Sequence, residues 1–169
     1  MNLQMTLKMA GLNRNTYNTI DRRTGLPFMK RRLLSTAGHD RYTLVHATAL
    51  ACMLEFQSAG LELSRACSAT NEFLDVIDGV VFGDIADGNP KPATSWLTVI
   101  NYADGSWGWA SGKENADTFG DGVVTSKVSV NVLGVWEKMS TRVGSLNADE
   151  SALSDTFEAE PVMRNGLSS

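Results

Sequence analysis

Leu12-Asn13-Arg14-Asn15-Thr16-Tyr17-Asn18-Thr19-Ile20-Asp21-Arg22-Arg23-Thr24-Gly25-Leu26-Pro27 is the stretch whose reading decides the fold. Residues 13–16 are small and polar or begin a helix well, so a side-chain oxygen there can accept from the free amides of a first helical turn. Tyr17 and Ile20 share one face of that helix, and Gly25-Leu26-Pro27 stops it after about three turns. Upstream, Leu3, Leu7 and Ala10 fall at i, i+4 and i+7 until Gly11 breaks the pattern. Two short helices meeting at a tight turn within Met1–Thr24 are therefore expected, the outline of a helix-turn-helix.

Working outward, Phe28-Met29-Lys30-Arg31-Arg32-Leu33-Leu34, a polar turn Ser35-Thr36-Ala37-Gly38-His39-Asp40, and Arg41-Tyr42 suit two short strands, a basic β-wing. Thr43 caps a helix whose positions Ala47, Leu50, Ala51 and Leu54 keep helical spacing, widened by Ala49, Met53 and Phe56 and ended by Gly60. Leu63, Ala66, Cys67, Leu74 and Ile77 predict a second helix packed back over this unit. Gly79 and the run Ala86-Asp87-Gly88-Asn89-Pro90-Lys91-Pro92 mark a loop and the expected domain boundary.

At Arg41-Tyr42, the Leu- and Ala-rich helix and Ala59-Gly60-Leu61-Glu62-Leu63, the chain resembles the MerR-like winged helix-turn-helix regulators, with relatives among phage excisionases and small terminase subunits. The resemblance covers roughly Leu3 to Ile77 and implies a DNA-binding head, residues 1–80. By position it implies that Asn13, Arg14, Asn15, Thr16, Tyr17, Asn18 and Thr19 open the recognition helix, with Arg22 further along it. Lys30, Arg31, Arg32, His39 and Arg41 are implied in the wing. Tyr17 stands alone where the family pairs aromatics.

Charge is distributed in keeping with such a head. Residues 1–48 hold eight Lys/Arg against two Asp/Glu, net +6; residues 49–70 carry net −1; residues 71–169 carry net −9, recovering −4 overall. A basic head on an acidic body points to a polyanionic partner, although a basic face can also be merely solvated.

Beyond the boundary, Ser95–Tyr102 reads as a strand, Ala103-Asp104-Gly105-Ser106 as a turn, and Trp107-Gly108-Trp109 as the start of a returning strand. Lys127–Val132 alternates like a half-buried strand, and Leu133, Val135, Trp136, Met139 and Val143 suit an amphipathic helix. A small α+β module over 93–143, with an antiparallel sheet and one helix, is expected, with a polar loop at 113–122. The tail 144–169, acidic and rich in Ser and Ala, is expected to be flexible. Trp96, Trp107, Trp109 and Trp136, with Val128 and Val130, could form the module's own core, a dimer surface or a ligand pocket.

The sequence carries no nucleophile motif and no His beyond His46, and Asp104, Glu114, Asp117 and Asp121 lie among turn-forming residues, so no enzyme, cofactor or metal is expected. His39 sits in the basic turn, where it could meet phosphate, and His46, on the first turn of a helix, is expected to be a surface or partly buried structural residue. Cys52 and Cys67 read as small buried hydrophobes in a reducing compartment, and no signal or spanning segment is read. The sequence therefore predicts an α+β chain: a winged helix-turn-helix head and a small dimerising or sensing domain. Its expected role is a cytoplasmic, nucleoid-associated, homodimeric transcription regulator of a bacterium or phage-infected cell. The alternatives are an architectural or packaging DNA-binding protein, and a module that binds a small molecule or a protein partner.

Overall fold

The computed structural model describes residues 1–31, 42–85, 88, 95–112 and 122–157, with 83–84 and 145–157 as backbone only. Helix α1 spans Leu3–Ala10, and α2 spans Arg14–Thr24. Each opens on an asparagine cap: Asn2 Oδ1 accepts from Met5 N at 2.9 Å and Asn13 Oδ1 from Thr16 N at 2.8 Å. Each ends on a left-handed glycine, Gly11 (φ 77°) and Gly25 (φ 69°), whose amides return to the last-turn carbonyls. The expected pair of helices and its tight turn are present.

The chain then departs from the expected wing. Pro27–Lys30 form a short helix, α3, instead of the first part of a strand. Proline at the first helical position pre-sets φ, and Phe28 and Met29 are both buried, which a strand with one wet face would not allow for neighbours. Leu26, fully buried, enters this turn at φ 37°, the one described non-glycine residue with positive φ. The rest of the expected wing, residues 32–41 including Arg32, His39 and Arg41, lies outside the described residues.

Helix α4, Leu44–Ser58, is the centre of the molecule. Its residues Val45 to Met53, together with Phe56, are buried on every side, so it shows no polar face over most of its length. Helix α5 (Leu63–Glu72) packs on it and is followed, after Phe73, by α6 (Leu74–Asp78). The expected single helix is thus two, and Gly79 does not end it. The path continues as a π-helical turn over Gly79–Ile85. Of the expected boundary run 86–92, all but Gly88 lies outside the described residues.

Strands β1 (Trp96–Tyr102), β2 (Trp107–Gly112) and β3 (Val124–Asn131) make an antiparallel sheet in the order β2-β1-β3. The hairpin appears as read, with Trp96 opposite Gly112 and Asn101 opposite Trp107. Asp104 Oδ1 accepts from Ser106 N at 2.8 Å and from its hydroxyl at 2.6 Å, so this carboxylate is a turn former. Those bonds hold its pKa below the usual carboxylate value. Across β1, the sheet neighbours Val99, Trp109 and Val128 share one face, and Ile100, Gly108 and Lys127 the other. The first face turns to the helices: Leu97, Val99 and Val130 join Phe56, Phe73 and Leu74 in one hydrophobic cluster. Trp109 meets Phe73 edge-on at 5.4 Å.

Helix α7 follows β3 without a loop. Asn131 Oδ1 accepts from Gly134 N at 3.2 Å, capping it. It runs from Val132 to Phe157, so helix replaces the first part of the flexible tail expected from residue 144; residues 158–169 lie outside the described residues. Val132, Val135 and Met139 face the same core that α1 and α4 build, and Lys138 pairs with Glu55 at 2.8 Å. The described residues of 1–80 and of 93–143 share one hydrophobic cluster. No described helix is long and apolar enough to cross a membrane.

Candidate nucleic-acid interface

Helix α2 is fastened on one side and open on the other. Tyr17 and Ile20, 7% and 6% exposed, point inward, and Thr24 Oγ1 donates back to Ile20 O at 3.0 Å. Arg14, Asn15, Thr16, Thr19, Arg22 and Arg23 are exposed, and Asn18 is half-buried. Asn15, Thr19 and Arg22 recur at i, i+4 and i+7, a stripe on the face away from the core. The structure thus sorts the predicted contact residues by role. Asn13 spends its side-chain oxygen on the cap, and Tyr17 belongs to the core. Arg14 stands with its guanidinium carbon 5.8 Å from the ring centre of Tyr17, one turn along the same helix.

The start of α2 borders a groove of about 360 Å³ lined by Gln4, Leu7, Lys8, Leu12, Asn13 and Arg14. Lys8 is not among the residues that the sequence singles out. Its signal is position: it occupies the last turn of α1, one turn before the bend that delivers α2. Arg23, also exposed, is likewise absent from the candidate residues.

The end of α3 carries Lys30 and Arg31, both exposed. Arg31, which the resemblance implies in the wing, donates to Asp75 Oδ1 at 2.9 Å and to the Asn71 carbonyl at 3.2 Å. The two ion-pair side chains are 40% and 78% exposed, so solvent screens the pair and another anion can compete for the guanidinium. Arg22, Arg23 and Lys30 remain the exposed cations around the C-terminal end of α2, with half-buried Asp21 beside them.

The aromatic set does not form one surface. Val130 is buried; Trp107, Val128 and Trp136 are partly buried against the chain's own core; Trp96 belongs to the opposite sheet face; and Trp109, edge-on to Phe73, is the most exposed of the four tryptophans at 45%. Trp136 lines a shallow apolar groove with Met9, Met139, Ser140 and Val143. Strands β2 and β3 are the outer strands of the described sheet.

Both cysteines are buried free thiols, and burial raises the pKa of each, which makes them poor nucleophiles. Among the described residues, no group of three or more His, Cys, Asp or Glu is arranged to hold a metal ion. Glu114, Asp117 and Asp121 lie outside the described residues. His46 is fully buried, more deeply than the sequence suggested, and burial keeps its pKa below the ordinary imidazole value. Comparison with protein-family models, with curated proteins and with solved structures finds no match to this chain.

Proposed function

We propose that this chain binds duplex DNA as a sequence-specific regulator of transcription, with α2 in the major groove and the basic end of α3 on the phosphate backbone. One observation carries the reading: α2 is capped at both ends and rooted by Tyr17 and Ile20, yet its outward stripe is built of Asn, Thr and Arg. An exposed helical face made for solvation alone gains nothing from asparagine or threonine, which are poor helix formers. Asparagine pairs with adenine through two hydrogen bonds and arginine with guanine, whereas Arg22, Arg23 and Lys30 suit phosphate. The net +6 of residues 1–48 within an acidic chain suits a polyanionic partner.

On this reading the head is MerR-like, and the protein acts as a two-fold dimer. One recognition helix reads too few base pairs to single out a site, and a second copy supplies the rest. The outer edge of β3 offers the pairing surface.

Selection of duplexes from a random pool by the purified chain tests this. Enrichment of an inverted repeat is the expected result. Retention without enrichment would replace it with an architectural or packaging role, and no retention even at low salt would remove DNA binding from the protein's functions.

A further inference from the structure

One buried side chain holds both the end of α3 and the start of α4. His46, on the first turn of α4, places Nδ1 3.1 Å from Thr43 N and Nε2 3.2 Å from the Arg31 carbonyl oxygen. A backbone N–H can only donate and a carbonyl can only accept, so the two partners leave the ring one form: neutral, with Nδ1 bare and the proton on Nε2. The Thr43 hydroxyl, also 3.1 Å from Nδ1, adds to the same side. A second ring proton would have to sit on Nδ1, facing the Thr43 amide donor. The Thr43 hydroxyl oxygen could accept from it, but the buried Thr43 N–H would then be left without its acceptor.

Among the described residues the charged surroundings of the ring are few. The Arg31 guanidinium is turned away toward Asp75 and Asn71 O, and the Tyr42 ring stands edge-on to the imidazole with centres 5.8 Å apart. Asp78 on α6 is the acidic group whose field favours a charged ring, and desolvation outweighs it.

We infer that His46 is a positioning residue of the DNA interface: a neutral imidazole clamp that fastens the basic end of α3 to the start of α4 and is released by protonation. Its consequence for DNA rests on the function proposed above, because it is Lys30 and Arg31 that the clamp holds beside α2. Its existence as a clamp does not.

The test uses the full chain and two variants. His46→Asn keeps an oxygen where Nδ1 accepts but is too short to reach Arg31; His46→Gln can place an amide N–H near Nε2 but leaves Thr43 uncapped. Nitrogen-detected spectra of the imidazole are expected to show the Nε2–H form. Hydrogen-exchange protection of the Thr43 amide should fall by about tenfold as His46 protonates, the value of a single hydrogen bond. That protection should survive in His46→Asn and vanish in His46→Gln, while duplex affinity should fall several-fold in His46→Asn and stay nearer to wild type in His46→Gln. An Nδ1–H ring, or Thr43 protection indifferent to both protonation and His46→Gln, would overturn the clamp. Equal duplex affinity in wild type and His46→Asn would overturn its positioning role. Failure of the wild-type chain to bind any duplex would instead overturn the DNA reading and with it that role, leaving the ring and amide signals to judge the clamp alone.

Discussion

Two residues concentrate the chemistry of the head, and their neighbours set what each can do. Arg14 is exposed at the first position of α2, where its guanidinium reaches over Tyr17. If it reads guanine, Arg14→Ala should reduce discrimination at one base position by about 1–3 kcal/mol while leaving affinity for unrelated duplexes nearly unchanged. An equal loss on every sequence, measured by competition binding, would make Arg14 a phosphate contact. His46 predicts a pH dependence of stability. Its folded pKa lies below the unfolded value, so as pH falls through about 6.5 the unfolded chain takes up a proton that the native chain refuses. The buried ring costs nothing above that pH and becomes destabilising below it. Thermal melts at about pH 7.5 and 5.5 should therefore show a larger drop for wild type than for His46→Gln, and parallel drops would show that the ring does not govern acid stability.

At the scale of elements, the turn between α1 and α2 is where backbone conformation and packing constrain the same residue. Gly11 has φ 77°, and a Cβ there would lie 2.6 Å from Arg142 Nη1, which donates to the Ala10 carbonyl at 3.1 Å. Gly11→Ala should cost about 1–2 kcal/mol from the left-handed backbone alone, and more because Arg142 must leave the end of α1. Gly11→Ala in an Arg142→Ala background isolates the backbone cost, and a double-mutant cycle by chemical denaturation separates the two contributions. Helix α2 carries a separate expectation. Replacing Arg22 and Arg23 together should shallow the log-log salt dependence of duplex binding by about 0.9 for each phosphate that the pair neutralises. An unchanged slope would take the C-terminal half of α2 off the DNA backbone.

At the scale of the whole molecule, the shared core makes the sheet and α7 part of the head's support. Arg65 Nη1 to Asn101 Oδ1 at 2.6 Å, Lys138 to Glu55 at 2.8 Å, and Arg142 to the end of α1 each cross between the halves, over a cluster that contains Leu50, Phe73, Val99 and Met139. All four tryptophans lie beyond residue 95, whereas most of the helix lies before it or in α7. Tryptophan fluorescence and far-ultraviolet circular dichroism should therefore report one coincident unfolding transition. Two separated transitions would show that the halves fold independently despite the shared core. On the same grounds a fragment ending at residue 85 should lose cooperative folding, because α4 would expose the faces that β3 and α7 cover.

The sequence by itself determined what local chemistry determines: caps at Asn13, stops at Gly11 and Gly25, the β1–β2 hairpin, and the alternation of Lys127–Val132 that makes all of it but Val132, the first residue of α7, a strand. These depend on near neighbours and recur at short spacing. Tertiary structure decided the rest. Phe28 and Met29 became helical because both could be buried between α4 and α5, an outcome that a periodicity spanning so few residues does not contain. Arg31 met Asp75, forty-four positions away, and His46 met Arg31, so their roles depended on distant partners. The single cluster has the same kind of origin: the apolar faces of α4, the sheet and α7 are each too large to leave in water, and packing them on one another buries them together.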